Sequence, residues 1–304
     1  MDNLKNVLIT GGSGLIGKRL TALLMQKGYS VSHLGRSEGK IIGVRSFKWD
    51  VAHQTIESKA LENVQTVIHL AGAGVNDQRW SDQRKDEILR SRTESTQLLK
   101  HTLEKMDHQV KTFISASGIG YYGFAGGDKN FVEEDPAGTD FLAKVTAAWE
   151  HESAKLKDIG LRVVRIRIGV VLSNEGGALK ELAKPIKLGV GAPLGSGEQF
   201  LSWIHIDDLC NIFIKAIEDK AMEGIYNGVA PHPVTNKAMT RAIAKTLNKP
   251  LLLPPIPGLI IKMVVGAVAE IVLNGSVISS KKIQKAGFDF KFHDVEAALK
   301  DLLQ

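Results

Sequence analysis

The stretch Val7-Leu8-Ile9-Thr10-Gly11-Gly12-Ser13-Gly14-Leu15-Ile16-Gly17 decides the fold of this chain. Its apolar start predicts a buried strand, and an amphipathic helix is predicted to follow over 15–27. Between them, glycines three residues apart let the chain turn sharply and let a pyrophosphate approach bare backbone at the positive end of the helix dipole. The order of strand, glycines and helix predicts a dinucleotide-binding loop. The predicted contacts are Thr10, Gly11, Gly12, Ser13, Gly14, Leu15, Ile16 and Gly17.

Strand-like and helical patterns alternate through the first half of the chain. Runs that are apolar on both faces, separated by helices, are typical of a parallel sheet covered on both sides. The predicted strands are 7–9, 31–34, 47–49, 67–70, 113–116 and 163–168, and the predicted helices are 15–27, 81–105 and 140–156. The fold class predicted is therefore α/β, a Rossmann-type doubly wound parallel sheet.

After Gly169 the pattern changes to glycine- and proline-rich loops around short helices. A strand over 200–204 and a helix over 207–218 are predicted to return to the main domain, and an amphipathic helix is predicted over 295–303. We therefore predict a nucleotide-binding domain of residues 1–172, to which 200–228 return, and a small, partly discontinuous C-terminal α/β cap of residues 173–199 and 229–304.

The composition is that of an ordinary globular protein. Of 304 residues, 24% are charged and 43% hydrophobic, and the formal net charge is +6 without a basic run that would indicate a nucleic acid. The single cysteine, Cys210, excludes an internal disulfide, and we expect a cytoplasmic protein without a signal peptide. The apolar stretch 256–273 includes Pro257, Lys262 and Glu270 and predicts a buried helix rather than a membrane span. The expected partner is a small-molecule substrate, and the expected state is a monomer or homodimer.

The end of the second predicted strand distinguishes NAD from NADP. NAD sites place a carboxylate about 20 residues after the glycines, where it accepts hydrogen bonds from the ribose hydroxyls. This chain has Arg36 and Ser37 there, with Lys40 close behind and no acid before Glu38. A guanidinium makes paired, charge-assisted bonds to phosphate oxygens, so these residues favour the 2′-phosphate of NADP(H). Asp50, after the third strand, either contacts the adenine amino group or caps a turn.

Further motifs follow the glycine loop in a fixed order along the chain. They are His69–Gly72, Arg79–Trp80, Ser91–Arg92, Ser115–Gly123, Trp149–Glu150, Arg167–Leu172, Gly176–Leu179, Gln199, Ser202–Asp208 and Pro233–Asn236. Together they resemble the extended short-chain dehydrogenase/reductase superfamily, and most closely its atypical branch of epimerase-family, sugar-nucleotide-epimerase-like proteins. The resemblance implies that Leu70, Ala71 and Gly72 line the cofactor.

The Tyr-x-x-x-Lys pair used by ordinary enzymes of this superfamily is missing. In those enzymes the phenol, activated by the lysine, exchanges a proton while a hydride moves to or from the nicotinamide. In the corresponding helix here, Phe141 replaces the tyrosine and Val145 the lysine. A shift by one residue places Lys144 four residues after Asp140, a spacing typical of a surface ion pair. The branch that the chain resembles also lacks the pair, which supports the resemblance and weakens the case for ordinary catalysis.

Ser117 and Tyr122 are the remaining candidates for acid–base chemistry. Ser117 follows the fifth strand, at the carboxyl edge where parallel sheets bind ligands, and the resemblance implies that its hydroxyl meets the reacting oxygen. Tyr122 is predicted either to supply the missing phenol or to form an aromatic wall of the pocket. His205 is predicted to pack between the domains rather than to act with Asp207, which is predicted to be a helix N-cap. No histidine or cysteine has metal-ligand spacing, so no metal site is predicted.

The predicted substrate pocket gathers side chains from several segments. Its members are Arg79, Trp80, Tyr121, Gln199 and Trp203. The branch usually carries a glutamine–arginine pair where this chain has Leu273–Val277, so a relative's substrate does not transfer to it. One predicted function is an NADP(H)-dependent oxidoreductase or epimerase-like enzyme, which acts on a small polar or sugar-nucleotide-like substrate through non-standard acid–base residues. The alternative is a non-catalytic NADP(H)-binding protein with a redox-sensing or regulatory role, for which the resemblance implies a link to cell division.

Overall fold

The structure, a computed structural model, describes residues 5–37, 39, 41–123 and 129–304. Glu38 and Lys40, which entered the cofactor prediction, lie outside these residues. The strands are β1 (Asn6–Thr10), β2 (Ser30–Gly35), β3 (Arg45–Asp50), β4 (Thr55–Ile56), β5 (Thr66–His69), β6 (Thr112–Gly118), β7 (Asn130–Phe131), β8 (Arg162–Ile168), β9 (Val170–Leu172), β10 (Phe200–Leu201), β11 (Trp203–His205), β12 (Gly224–Gly228), β13 (Val234–Thr235) and β14 (Val277–Ile278). The α-helices are α1 (Leu15–Gln26), α2 (Asp82–Lys105), α3 (Phe141–Ala154), α4 (Ala178–Lys187), α5 (Ile206–Glu218), α6 (Asn236–Thr246), α7 (Gly258–Val265), α8 (Ala269–Leu273), α9 (Lys281–Lys285) and α10 (Val295–Leu303).

One sheet contains eight strands in the order β12-β8-β6-β5-β1-β2-β3-β4. Its neighbouring strands run parallel, except that the edge strand β4 is antiparallel to β3. The strand order reverses beside β1, so the carboxyl end of β1 is the switch point where open α/β sheets bind ligands. The predicted doubly wound Rossmann-type sheet is confirmed, because the six strands predicted for it are present with small shifts at their ends.

Both faces of the central strands β1, β5 and β6 are buried, which explains why their sequences contain apolar runs. Within β1, Val7 and Ile9 pack in the core on the side of α1 and α5, whereas Leu8 packs on the opposite side with Leu99 of α2. The two sides alternate with the two-residue period of a strand. The helices that cover the sheet therefore hold the end of β1 rigidly in place.

The strand β12 is an element of the main sheet that the sequence pattern does not predict. Its residues, Gly-Ile-Tyr-Asn-Gly, form no apolar run. It is parallel to β8, with Tyr226 opposite Ile166 and Asn227 opposite Arg167. Main-chain hydrogen bonds to an existing neighbour create this strand, and that neighbour is distant in sequence.

The C-terminal part has a core of its own. Trp203, Met239 and Leu299 pack together with side chains of α4 and α6. In this part β11 is parallel to β9, and β10 is antiparallel to β13. By contrast, α5 packs on α1, and β12 belongs to the main sheet. Residues 200–205 thus pair with strands outside the main sheet, and the predicted domain boundaries stay an interpretation.

The helix α5 has a different N-cap from the one predicted. Nδ1 of His205, not the carboxylate of Asp207, caps it by accepting the Asp207 N–H at 3.0 Å. The Asp207 carboxylate instead forms a two-point ion pair with Arg19 of α1, at 2.6 and 2.8 Å. The His205 ring stacks on Phe292 with 3.9 Å between centroids, and its Nε2 lies 3.3 Å from Oδ2 of Asp301, so the contacts of this ring are with the C-terminal part and its place between the domains stays a prediction.

The apolar stretch 256–273 does not form the single buried helix that was predicted. It breaks at Gly266, which has a left-handed φ of 66°, into α7 and α8. No residue of α7 is buried, and Leu259 and Met263 are 71% and 64% exposed. In the described part of the chain, no helix has both the length and the apolar character that a membrane span requires.

Candidate functional site

The glycine loop brings the ends of β1 and β5 and the start of α1 into contact. Gly11 has a φ of 70°, and a Cβ there would lie 3.0 Å from backbone atoms of Leu70 and Ala71. A Cβ on Gly17 would lie 2.5 Å from the carbonyl oxygen of Gly11. Gly14 is the N-cap of α1 and offers no side-chain cap. The first N–H groups of α1 are therefore left for an anion at the positive end of the helix.

A cavity of about 450 Å³ lies against this loop, and we name it the first cavity. Seven of the predicted cofactor residues line it, which are Gly11, Ser13, Gly14, Arg36, Leu70, Ala71 and Gly72. Those that do not line it are Thr10, Gly12, Leu15, Ile16, Gly17, Ser37 and Asp50. The cavity thus gathers the loop and the ends of β2 and β5, as a dinucleotide site requires. Their contacts with a cofactor stay a prediction.

Asp50 turns away from the first cavity, although its neighbours Trp49 and Val51 line it. Its Oδ2 lies 2.8 Å from Nδ1 of His53, and its Oδ1 accepts the His53 N–H at 3.1 Å. These hydrogen bonds hold the pKa of Asp50 below its ordinary value. The geometry therefore favours the alternative in which Asp50 caps a turn.

Thr10 joins the strand ends beneath the first cavity. Its Oγ1 accepts the N–H groups of Leu70 and Ala71 at 3.2 Å each and lies 2.8 Å from Nδ1 of His69. Because this oxygen already accepts two hydrogen bonds, we infer that the Thr10 hydroxyl donates its proton to Nδ1 of His69. The other ring nitrogen, Nε2, then carries the proton and donates to Oγ of Ser95, 3.2 Å away. Burial lowers the pKa of His69 to about 3, so the ring is neutral. Thr10 positions the loop against β5 and α2.

A second cavity, of about 410 Å³, adjoins the first turn of α1, since Leu15 lines it directly after Gly14. The helix α3 contributes Leu142, Val145, Thr146 and Trp149 to its wall. Lys144 is exposed and outside this wall, and Phe141 packs against Trp80 with 5.0 Å between ring centroids. Among the described residues, no tyrosine or lysine lines the second cavity. Its chemistry must therefore use other groups.

Ser117 lines the second cavity and belongs to a buried polar chain. Its Oγ donates to Oε1 of Glu150 at 2.7 Å, and Glu150 accepts two bonds from Arg167, at 2.8 and 2.9 Å. The exposed fractions of these three side chains are 5%, 4% and 1%. The two hydrogen bonds from Arg167 fix the orientation of the Glu150 carboxylate, and the carboxylate in turn fixes the direction in which the Ser117 proton points. Ser117 is left as an acceptor toward the cavity.

The comparisons with known proteins agree with this arrangement. A family model described as "NAD dependent epimerase/dehydratase family" matches residues 7–227, and one described as "Domain of unknown function (DUF1731)" matches residues 256–302. The chain belongs to the NAD-dependent epimerase/dehydratase family. The resemblance inferred from the motifs is confirmed.

Two relatives and one crystal structure are similar to this chain along almost its whole length. Epimerase family protein SDR39U1 homolog, chloroplastic, of Arabidopsis thaliana is 35% identical over 98% of this chain and 86% of the relative. Epimerase family protein SDR39U1 of Mus musculus is 33% identical over 98% and 99%. The crystal structure of human SDR39U1 (isoform 2) with NADPH has a TM-score of 0.87 at 31% identity and covers 98% of both chains.

Glu150 and Arg167 are residues of this epimerase-family chain to which the sequence analysis gave no role. Both belong to motifs that carried the resemblance, Trp149–Glu150 and Arg167–Leu172. Their spacing of 17 residues indicates no contact, because one lies on α3 and the other on β8. The available sign was an arginine between two isoleucines in a strand predicted to be buried, since a buried charge requires a partner of opposite sign.

Tyr121 and Tyr122 lie outside the walls of both cavities. Tyr122 is 2% exposed and donates its hydroxyl proton to Oδ1 of Asn227 at 2.7 Å. Burial raises its pKa to about 12, which makes it a poor proton donor near neutral pH. The Arg167 guanidinium lies 3.4 Å from the centroid of the Tyr121 ring. The catalytic role of Tyr122 and the pocket role of Tyr121 stay predictions that this geometry does not favour.

The other predicted pocket residues also lie outside the walls of the two cavities, although Phe200–Ser202 line the second. Arg79 donates to the last carbonyl groups of α7 at 3.0 and 2.6 Å. The indole N–H of Trp80 donates to a backbone carbonyl at 2.8 Å. Gln199 donates to two carbonyl groups, while its Oε1 is buried without a partner. Trp203 is 0% exposed and lies in the C-terminal core. Their substrate roles stay predictions.

A substitution at Gly17 tests how closely the glycine loop packs against α1. We expect Gly17→Ala to lower the free energy of unfolding by about 1–3 kcal/mol, because its methyl group would meet the backbone of Gly11 and Gly12. Gly176→Ala is the matched control, since a Cβ there has its nearest neighbour at 3.9 Å, and we expect a change below about 0.5 kcal/mol. Urea denaturation measures both, and equal midpoints for the two variants would contradict the prediction.

Proposed function

We propose that this chain binds NADP(H) across the two cavities and that it is an oxidoreductase or epimerase-like enzyme for a small polar substrate. The observation that carries the proposal is that the cavities adjoin at the first turn of α1, with Gly14 in one wall and Leu15 in the other. A pyrophosphate held at the helix N-terminus would have the adenosine on one side and the nicotinamide on the other.

Two observations support NADP(H) over NAD(H). Arg36 is exposed and lines the first cavity just beyond β2, where a 2′-phosphate would meet its guanidinium. The human relative, 31% identical, has a crystal structure with NADPH. Ser37 follows directly with a hydroxyl group.

Ser117 is the residue that we propose for the reaction in the second cavity. When bound, NADP(H) supplies or takes up a hydride. Because the Ser117 proton is directed to Glu150, the serine oxygen would accept a hydrogen bond from a substrate hydroxyl and orient it. The apolar side chains of α3 would exclude water from this end of the site. The missing Tyr-x-x-x-Lys pair favours the non-catalytic alternative, whereas Ser117 in the wall of the second cavity favours the enzyme.

A titration with NADPH and NADH tests the proposal. We expect Arg36→Ala to weaken NADPH binding about tenfold and to leave NADH binding unchanged, because only NADPH carries the 2′-phosphate. Arg45→Ala is the matched control, since Arg45 is also exposed but is the first residue of β3, at the opposite edge of the sheet from Arg36 and outside both cavities.

The possible outcomes separate the parts of the proposal. Equal affinity for the two nucleotides would contradict the preference for NADP(H). Binding of neither nucleotide would contradict the whole proposal. Tight NADPH binding, with no turnover by wild type on a panel of small alcohols and carbonyl compounds, would contradict the enzymatic part.

A further inference from the structure

The wall of the second cavity carries a single charge. Among the described residues that form it, Arg92 is the only one with an ionisable side chain. The rest of the wall consists of apolar side chains, glycine backbone, and hydroxyl or amide groups such as those of Ser117, Thr146 and Asn76. A cavity of this kind suits a mostly apolar molecule with one anionic group.

The Arg92 guanidinium is only partly satisfied by the protein. Its Nη1 donates to the carbonyl oxygens of Ala73 and Ile88 at 3.0 and 2.9 Å, and its central carbon lies 5.2 Å from the centroid of the Trp149 ring. Within the described ranges, no carboxylate lies within 4.0 Å, and Nε and Nη2 have no hydrogen-bond acceptor. Burial, with a smaller effect of Arg84, lowers the pKa of Arg92 to about 10, so the group is charged at neutral pH.

Arg84, on the same helix, shows how a neighbouring arginine is compensated. It lines the first cavity, and its guanidinium donates to Glu87 at 2.6 Å and to the carbonyl oxygen of Gly74 at 2.5 Å. In the part of the chain that the structure describes, Arg92 has no such carboxylate. Arg92 is half-buried, and within the described ranges its Nε and Nη2 edge has no acceptor, so the wall of the second cavity offers this edge to an anion.

We propose that Arg92 binds a carboxylate of the substrate, and that the substrates are small monocarboxylic acids with a hydroxyl or carbonyl group on an apolar body. This inference rests on the proposed function, in which Ser117 of the same wall orients the reacting oxygen. Nε and Nη2 form the edge of the guanidinium that matches the two oxygens of a carboxylate.

The class of anion follows from the charge balance. One positive charge balances a monoanion but leaves a phosphate dianion or a pyrophosphate uncompensated in an apolar cavity. The pyrophosphate of the cofactor has its own site at the glycine loop, in the wall of the first cavity. A carboxylate is therefore the anion that the second cavity fits.

Calorimetric titration of the NADPH-saturated protein tests this site. The probes are acetate, 3-methylbutanoate and benzoate, each compared with its neutral amide. We expect at least one acid to bind about tenfold more tightly than its amide, Arg92→Met to remove this difference, and Arg92→Lys to keep part of it. Arg90→Met is the matched control, because Arg90 is exposed on the same helix, pairs with Glu94 at 2.6 Å and lies outside both cavities.

Each outcome decides for or against the site. The inference is overturned if no acid binds better than its amide, or if Arg92→Met keeps the difference. It is also overturned if both Arg92 variants weaken NADPH binding tenfold without changing the preference for acids, because Arg92 would then serve the cofactor. If Arg92→Met fails to fold, Arg92→Lys decides. An unchanged preference for acids over amides in Arg92→Lys counts against two-point binding by the guanidinium, and a reduced preference supports two-point binding. If wild type fails to bind NADPH, the proposed function fails first, and the same titration without cofactor decides the carboxylate site separately.

Discussion

Replacement of Glu150 by alanine is expected to lower the free energy of unfolding by about 3–5 kcal/mol, because it leaves the Arg167 guanidinium buried without its carboxylate. Arg167 is 1% exposed, and Glu150 accepts two of its hydrogen bonds. Its remaining partners are the carbonyl oxygen of Glu133 and the faces of Tyr121 and Tyr122, none of which carries a balancing charge. Urea denaturation measures the loss as a lower midpoint at an unchanged slope.

Two further variants separate the buried charge from a general effect of mutation. Glu94→Ala removes an exposed ion pair with Arg90, and we expect it to cost at most about 1 kcal/mol. The double variant Glu150→Leu/Arg167→Met removes both buried charges, so we expect it to recover most of the loss caused by Glu150→Ala. A wild-type midpoint for Glu150→Ala would show that the pair contributes nothing to stability.

Trp203→Ala is expected to lower the free energy of unfolding by about 3–5 kcal/mol, since it empties a large space in the C-terminal core. The side chain is 0% exposed and packs in the same cluster as Met239 and Leu299. Its indole N–H donates to the carbonyl oxygen of His232 at 2.8 Å, which the variant leaves without this donor. The measurement is again urea denaturation, followed by NADPH titration at a temperature where the variant is folded.

Trp80→Ala is the matched control for this prediction. Trp80 also donates its indole N–H to a backbone carbonyl, that of Val75 at 2.8 Å, but it is partly exposed. We expect a loss of about 1–2 kcal/mol. If Trp203→Ala kept the wild-type midpoint and lost NADPH binding, Trp203 would be a pocket residue, as the sequence analysis proposed, rather than a core residue.

The amino-acid sequence by itself determined the parallel sheet, the glycine loop and the family. These features depend on local patterns, which survive without knowledge of the neighbours. Val7 to Ile9 are apolar because both faces of β1 are buried, and Gly11 and Gly17 are glycines because backbone atoms occupy the space of a Cβ. The absence of the Tyr-x-x-x-Lys pair was also evident from the sequence of a single helix, α3.

Only the tertiary structure decided which polar side chains contact one another and which are buried away from solvent. Ser117 meets Glu150 across 33 positions, and Tyr122 meets Asn227 across 105, which buries the hydroxyl group of a candidate acid. For the same reason Trp203 packs in the C-terminal core, and among the described residues of its wall Arg92 alone gives the second cavity a charge. Burial and charge compensation depend on contacts between distant elements, and no periodicity along the chain records whether an arginine will find a carboxylate in the folded protein.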